Sequence, residues 1–276
     1  GLARDLNVFY EVNNFIDIYE EDIDELELDF INKSEADCPN ISFLKIEIEG
    51  QISEYKDYLS SYFFNLKIKK NNFFTDISNY ISYELGQPTH CFDEGKINDQ
   101  LVFDKKSLNE AFTTLMDSEI ELEGENCIFS VNEEVISLAG LMGGISTACS
   151  ESTNIALIEC AYFKPESIIG KSIKYNLQSD AAHKFERGVD PCCHEKVLRR
   201  FIKIVQDHAK IKNIELVQFE NKEFKPKQIK IDLDRINNIL GTSINNNSYK
   251  NNLEKLGFKY DSKIEVPSYR NDISNQ

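Results

Sequence analysis

Several features of secreted and membrane proteins are missing from this 276-residue chain. No apolar run approaches the roughly 20 residues that a membrane helix needs. The chain does not open with a basic and apolar leader, so no secretory signal is expected. The seven cysteines are odd in number and scattered, which does not fit a disulfide framework and suits a reducing compartment. We therefore expect a cytoplasmic protein.

The chain also has little positive charge, no zinc-binding cysteine spacing and no phosphate-binding loop. Its 31 Lys and Arg against 47 Asp and Glu give a net charge of −16. This argues against a general nucleic-acid binder, because such binding depends on Lys and Arg that neutralise phosphates. Cys192, Cys193 and His194 are adjacent but lack the C-x2-C pairs of a zinc site. A G-x-x-x-x-G-K-[ST] loop is absent from the sequence.

The hydrophobic pattern predicts the fold class. Hydrophobic residues make up 41% of the chain, enough for a core. Alternating residues predict a half-buried strand at 42–50, and the apolar run 154–161 predicts a buried strand. Helical spacing predicts amphipathic helices at 51–66 and 195–211. Strands and helices mix without a βαβ repeat, so we predict an α+β fold with a mixed, largely antiparallel sheet and flanking helices.

Turn and capping residues mark further elements. Thr75 can cap a helix that ends at Gly86, and Asn132–Glu134 predicts a hairpin turn. Asp232 and Ser243 can cap two helices near the end of the chain. Short strands are predicted at 101–103, 120–122, 128–131 and 135–139.

Glu159 is the strongest candidate for a functional side chain on physical grounds. It lies inside the apolar run 154–161, where a buried carboxylate without a partner costs several kcal/mol. Such a group should be paired, protonated or used in function. The alternative is a glutamate that points outward from an edge strand or bonds to neighbouring backbone.

His90 and a glycine turn are the next candidates. His90 follows Pro88 in an exposed-looking loop, and an imidazole that titrates near neutrality can act as a general base. An ordinary surface histidine is the alternative. Gly140, Gly143 and Gly144 form a turn where the backbone can approach a ligand closely, although a plain tight turn would need the same residues.

Three segments resemble signatures of one protein family, in the same order. They read TDISNYISYELGQPTHCFD at 75–93, SLAGLMGG at 137–144 and QSDAAHKFERGVDP at 178–191. All three are similar to motifs of the beta subunit of bacterial phenylalanyl-tRNA synthetase. In that family these segments line the pocket that hydrolyses wrongly charged tRNA.

The resemblance implies a role for individual residues. Glu159 corresponds to a carboxylate that accepts a hydrogen bond from the tyrosine hydroxyl, and His90 to a histidine that orients the ester, the terminal ribose or the attacking water. Ser179 keeps a hydroxyl and is grouped with them as catalytic. The implied substrate contacts are Ser78, Asn79, Gly140, Gly143, Ala181 and Lys69.

One departure from the family pattern concerns Lys69 and Lys70, where the family usually has Arg-Pro. Lysine keeps the positive charge but loses the bidentate fork of arginine. Contact with the end of the tRNA would then be weaker. This departure favours the alternative of a tRNA-positioning scaffold whose editing pocket has decayed.

The implied activity is proofreading hydrolysis of mischarged tyrosyl-tRNA(Phe), and not aminoacylation. A hydrophobic pocket rejects an added hydroxyl only about a hundredfold, so a second site that binds the hydroxyl is useful. A second alternative is a free-standing hydrolase of another ester, although the abrupt GLARDL start and the truncated end argue against it.

The resemblance also implies domains, partners and cofactors. Residues 1–39 are expected to be the tail of a preceding module and an acidic connector, 40–220 the editing domain, and 228–276 the truncated start of a small helical, winged-helix-like module. The intact enzyme would pair with a catalytic alpha subunit in an α2β2 heterotetramer and use ATP and magnesium, while no cofactor is expected in this fragment. Asp272 matches one ligand of the family's magnesium site, whose other ligands would lie beyond Gln276.

Overall fold

The chain divides into two compact units. The computed structural model describes residues 2–10, 16–177, 179–221 and 223–273. The larger unit comprises 17–189 and 193–222, and the smaller unit comprises 1–16, 190–192 and 223–276. Within the described residues no helix is both long enough and apolar enough to cross a membrane.

Strands and helices alternate irregularly along the chain. The strands are β1 (Asp24–Glu25), β2 (Phe30–Asn32), β3 (Asn40–Glu49), β4 (His90–Asp93), β5 (Leu101–Thr113), β6 (Glu119–Val131), β7 (Glu134–Leu138), β8 (Met142–Gly143), β9 (Ile155–Tyr162), β10 (Lys210–Glu220), β11 (Gln228–Ile229), β12 (Lys259–Tyr260) and β13 (Ile264–Glu265). The helices are α1 (Leu2–Tyr10), α2 (Asp57–Leu66), α3 (Phe73–Leu85), α4 (Pro165–Ile168), α5 (Lys171–Lys174), α6 (Asp180–Phe185), α7 (His194–His208), α8 (Leu233–Leu240) and α9 (Asn246–Lys255), and a 3-10 turn spans Glu94–Lys96.

The larger unit contains two five-stranded sheets. The first has the order β1-β10-β3-β9-β4 and the second the order β2-β5-β6-β7-β8. Neighbouring strands run antiparallel except β1 beside β10 and β2 beside β5. The predicted α+β class with a largely antiparallel sheet is therefore confirmed.

The first sheet separates two hydrophobic cores. On β3, Phe43 belongs to a core that joins the two sheets, while Leu44 belongs to a core shared with helices α3 and α7. The same alternation holds on β9, where Leu157 faces the first core and Ile158 the second. Burial on both faces explains why the sequence of β9 is almost continuously apolar.

Residues 17–39 differ from the expected solvated connector. They belong to the larger unit, because β1 pairs with β10 and β2 pairs with β5. Leu26 is buried at 4% exposure among otherwise acidic neighbours. The acidic segment is therefore part of the fold, with Asp24 and Glu25 on edge strand β1 and the other acidic residues in the segments beside it. The domain boundaries themselves stay predictions.

Several elements differ in length from the sequence prediction. Helix α3 begins at Phe73 and is capped by Asn72, whose side chain accepts the Thr75 N–H; Thr75 is thus not the cap. The short strands predicted at 101–103, 120–122 and 128–131 belong to two long strands, β5 and β6, which pair over their whole length. Their polar middle lacks the alternation that reveals a half-buried strand.

Turns and caps were otherwise predicted well. Asn132 and Glu133 adopt positive φ of 50° and 67° in the tight β6–β7 turn, which confirms the hairpin. In the smaller unit Asp232 caps α8 as predicted, but Asn245 and not Ser243 caps α9. That unit also carries a three-stranded sheet with the order β11-β13-β12.

Candidate functional site

Glu159 occupies an inner strand and faces the space between the two sheets. Strand β9 lies between β3 and β4, where Glu159 pairs with Phe43 on one side and His90 on the other. By alternation its side chain shares the face of Leu157 and Ala161, both in the core that joins the sheets. Only 4% of the residue is exposed. It is therefore not the outward-facing edge glutamate that the sequence left open.

Burial changes the charge of Glu159. Loss of water around the carboxyl raises its pKa to about 8. At neutral pH the group is therefore mostly a neutral carboxylic acid in the ligand-free protein. Of the three states that the sequence allows, Glu159 is thus protonated, and it forms hydrogen bonds of ordinary strength instead of the stronger charge-assisted bonds of a carboxylate.

His90 begins β4 beside Glu159 and is also neutral. Its ring packs edge-on against Phe92 with centroids 4.4 Å apart. The Nε2 atom is buried, and no described residue forms a hydrogen bond with it. Burial lowers the pKa of His90 to about 4. The site thus holds two neighbouring titratable groups that are both uncharged at pH 7.

The glycine turn is required by close packing. A Cβ on Gly143 would lie 2.8 Å from Nε2 of His90, so only glycine lets the imidazole occupy its position. Gly140 has a φ of +70°, and a Cβ there would lie 2.9 Å from Phe163. A Cβ on Gly144 would lie 2.7 Å from the carbonyl oxygen of Ile136. Gly143 therefore shapes the histidine site directly, while Gly140 and Gly144 shape the turn.

These residues enclose a small cavity that adjoins a larger cleft. The inner cavity has a volume of about 60 Å³ and is lined by Pro88, Thr89, His90, Ser137, Leu138, Gly140, Leu141, Met142, Gly143, Glu159, Ala181 and Phe185. The outer cleft has a volume of about 570 Å³, and Ser78, Asn79, Ser179 and Lys184 are among its lining residues. His90, Gly143 and Ala181 line both.

The hydroxyls of Ser78 and Ser179 are engaged with the protein itself. Ser179 caps helix α6 by accepting the Ala182 N–H, and its hydroxyl donates to the Leu141 carbonyl at 2.6 Å. Ser78 donates to the Thr89 carbonyl at 2.6 Å. Ser179 thus connects α6 to the glycine turn. This contact suits a positioning role for Ser179 better than the catalytic role that the resemblance implies.

Lys69 and Asp272 are not brought to the cavity. Lys69 is exposed in the loop between α2 and α3 and does not line the cleft, although Ile68 and Asn71 on the same loop do. Asp272 lies in the smaller unit, where Arg270 donates to both of its oxygens at 2.8 Å and holds the pKa of that carboxyl below its usual value. The functions predicted for both residues stay predictions.

Sequence reasoning missed the apolar wall and one half-buried lysine. Leu138, Met142 and Phe185 line the inner cavity, but isolated apolar residues give no functional signal in a sequence. Lys184 lines the cleft, donates to the Ser82 hydroxyl at 2.8 Å and has its pKa lowered by burial. No cluster of three or more His, Cys, Asp or Glu suited to a metal ion occurs among the residues that the structure describes.

Comparison with known proteins gives two matches to domain families. Residues 38–210 match the B3/4 domain, and residues 229–276 match the tRNA synthetase B5 domain. The first match covers the strands and the glycine turn that form the cavity.

Similar curated proteins are phenylalanine–tRNA ligase beta subunits. The chain is 34% identical to that of Francisella tularensis over 211 residues, which is 73% of this chain and 27% of the relative. It is 30% identical to that of Neisseria gonorrhoeae over 243 residues, or 86% of this chain and 31% of the relative. The chain thus spans less than a third of these relatives.

A solved structure is also similar at low level. It is an N-terminal fragment of the phenylalanyl-tRNA synthetase beta subunit from Pyrococcus horikoshii, with a TM-score of 0.45 and 13% identity, covering 93% of this chain and 74% of that one. This likeness is too weak to support a further conclusion.

Proposed function

Because the chain belongs to the B3/4 domain family, in the form found in phenylalanine–tRNA ligase beta subunits, we propose that its cavity hydrolyses the ester of mischarged tyrosyl-tRNA(Phe). The observation that carries the proposal is Glu159. It is a buried acid on an inner strand that faces a cavity, and burial is the sole cause of its pKa shift. A group in that position needs a polar ligand atom to satisfy it.

The inner cavity can hold the hydroxyl end of a tyrosine side chain. Its volume of about 60 Å³ is several times the roughly 10–15 Å³ that one water requires but less than the roughly 150 Å³ of a cavity that binds benzene. The rest of the ring, the amino group, the ester and the terminal ribose would extend into the outer cleft past His90, Gly143 and Ala181. A neutral floor and neutral walls suit a neutral ring.

Glu159 then distinguishes tyrosine from phenylalanine. The protonated carboxyl can donate a hydrogen bond to the phenolic oxygen, or its carbonyl oxygen can accept a hydrogen bond from the phenolic O–H. Phenylalanine would leave the buried acid without a partner, at a free-energy cost of about 1–3 kcal/mol. The site therefore binds the tyrosyl group of mischarged tRNA and disfavours the phenylalanyl group of the correct product, whichever of the two hydrogen bonds forms.

His90 can position the nucleophile. His90 lines both the cavity and the cleft, and its Nε2 has no hydrogen-bond partner among the described residues. When ligand entry makes this buried atom accessible, it can accept a hydrogen bond from water or from the free hydroxyl of the terminal ribose. Water adds to the ester carbonyl and the bond to the ribose oxygen breaks, so that tyrosine and free tRNA(Phe) leave. With a pKa of about 4, the imidazole is a weak general base at neutral pH, and we assign it an orienting role.

We extend the proposal to the partners and cofactors of the whole protein, following the resemblance to the family. The protein that contains this chain would join a catalytic alpha subunit in an α2β2 heterotetramer in the cytoplasm, bind tRNA(Phe), and use ATP and magnesium for aminoacylation. Asp272 would contribute to that magnesium site.

The test is deacylation by a phenylalanine–tRNA ligase whose beta subunit carries this chain. We expect release of tyrosine from tyrosyl-tRNA(Phe) and little release of phenylalanine from phenylalanyl-tRNA(Phe). Glu159→Ala should reduce this preference by roughly 5- to 150-fold, since this ratio corresponds to the loss of about 1–3 kcal/mol. No tyrosine release by the wild type would favour the tRNA-positioning scaffold instead.

A further inference from the structure

Two cysteines lie side by side in the wall of the outer cleft. Phe92 on β4 forms an isolated antiparallel bridge with Ala148. In an antiparallel pair the preceding residue of one strand lies opposite the following residue of the other, so Cys91 faces Cys149. Both residues line the outer cleft and belong to the same hydrophobic core. They therefore project from the same face.

The Phe92–Ala148 bridge places Cys91 and Cys149 at the next opposed positions. Opposed residues of an antiparallel pair generally have Cα atoms about 4.5–5.5 Å apart, a separation that one atom bound to both sulfurs can span. The Cys149 thiol donates to the Cys91 carbonyl at 3.6 Å, and the Cys91 thiol donates to the Phe74 carbonyl at 3.5 Å. Both are free thiols.

We propose that Cys91 and Cys149 form a dithiol site in the wall of the outer cleft that binds a trivalent arsenical through both sulfurs. With an organic arsine oxide, two As–S bonds form, the bonds between arsenic and oxygen break, and the two thiol protons leave with that oxygen as water. Arsenic stays trivalent, so the reaction needs no oxidant or reductant.

Two other ligands of thiols fit this pair less well. A structural zinc site has four protein ligands, and no group of even three His, Cys, Asp or Glu is found in the described part of the chain. Disulfide exchange depends on the thiolate fraction. Burial raises the pKa of Cys149 to about 12 and that of Cys91 well above its ordinary value. An arsine oxide takes up thiols together with their protons and avoids this barrier.

The cleft has room for the organic group. Its volume is about 570 Å³, and the apolar side chains of Leu115, Met116 and Met142 are among its lining residues. A phenyl substituent on arsenic would lie against these side chains and near Ser78. The bound reagent would occupy the space through which the inner cavity is reached.

The experiment is titration of the full chain with phenylarsine oxide, followed by intact mass and by counting free thiols. The parent protein carries Cys192→Ala and Cys193→Ala, because these adjacent and more exposed thiols would bind the same reagent. We expect one arsenic adduct per parent chain with the loss of two thiols, and its removal by excess dithiothreitol. Adding Cys91→Ala or Cys149→Ala should abolish the two-thiol adduct, whereas adding Cys127→Ala, which removes a buried thiol outside the cleft, should leave it unchanged.

Three results would overturn the site. These are no arsenic adduct on the parent protein that lacks Cys192 and Cys193, an unchanged adduct when either Cys91 or Cys149 is also replaced, or loss of two thiols without added arsenic mass. Circular dichroism melting confirms that each variant is folded, and if one variant unfolds, the other decides. None of these outcomes depends on deacylation activity, so the site is tested separately from the proposed editing function.

Discussion

Burial acts in opposite directions on the two neighbouring titratable side chains of the cavity. It raises the pKa of Glu159 to about 8 and lowers that of His90 to about 4, because a low-dielectric environment disfavours whichever form is charged. The buried His194 behaves like His90, with its pKa lowered to about 4. The result is an uncharged site in a strongly acidic protein.

These shifts predict how stability depends on pH. Between about pH 4 and 6.5 the unfolded chain binds more protons at His90 and His194, so their contributions increase stability as pH rises. Between about pH 4.5 and 8 the folded chain keeps the Glu159 proton that the unfolded chain has lost, so this contribution falls as pH rises. Of the three contributions, from His90, His194 and Glu159, the Glu159 contribution is the one that still changes stability with pH above pH 6.5.

We therefore predict that Glu159→Gln abolishes a loss of stability between pH 6.5 and 8. The wild type should lose up to roughly 1.5 kcal/mol of unfolding free energy over this range through Glu159. Glutamine resembles the protonated acid and does not titrate. Urea unfolding of both proteins at the two pH values measures the difference, and parallel pH dependence would contradict the raised pKa of the buried Glu159.

A second prediction at the residue scale concerns Ala181. It lines both the inner cavity and the outer cleft, so the indole of Ala181→Trp should fill the space meant for a tyrosine ring. We expect a folded protein that no longer releases tyrosine from tyrosyl-tRNA(Phe). His183→Trp, at an exposed position of the same helix, is the matched control and should retain activity. Wild-type activity in Ala181→Trp would place the ester elsewhere.

Helix α3 carries Ser78 and Asn79 into the cleft, and its start is fixed by one side chain. Asn72 accepts the Thr75 N–H at 3.1 Å and donates to the Cys149 carbonyl at 2.9 Å. It thereby joins the helix to the segment that follows the glycine turn. The cap is thus both a local and a tertiary contact.

We predict that Asn72→Ala lowers the free energy of unfolding by about 1–2 kcal/mol, since loss of an N-cap costs about 0.5–2 kcal/mol and a second hydrogen bond is lost. Thr75→Ala is the matched control and should have a smaller effect, because its backbone and not its side chain takes part in the cap. Chemical denaturation gives both values. If Thr75→Ala lowered the free energy of unfolding as much as Asn72→Ala or more, Thr75 would be the capping residue.

At the scale of the whole molecule, all residues that line the cavity and the cleft belong to the larger unit. The smaller unit has its own core around Phe258, Ile264 and Val266. Neither the cavity nor its acid therefore requires residues 223–276.

We predict that a chain limited to residues 17–222 folds and binds tyrosine with an unchanged Kd. Calorimetry on the full and shortened chains makes the comparison, with Glu159→Ala in both as the control for binding in the cavity. A shortened chain that is folded but binds more than tenfold more weakly would show that the smaller unit contributes to the site.

The sequence alone determined the elements whose signals are local. The apolar runs of β9 and α7, the Gly86 cap of α3 and the turn at Asn132 follow from periodicity and backbone conformation. The motif resemblance also indicated His90, Glu159, Gly143 and Ala181, which the fold brings to one cavity. Such features depend on neighbours in sequence, or on patterns that a family repeats.

Only the tertiary structure determined the strand pairing and the burial of the site, because both depend on segments that are far apart in the sequence. The polar middles of β5 and β6 become strands only by pairing with each other, and the acidic residues 17–39 join the fold through two distant strands. Glu159 is neutral because two sheets remove water from it, and Cys91 meets Cys149 only because β4 pairs with the distant residue Ala148 through Phe92. These properties arise from contacts between residues far apart in the chain.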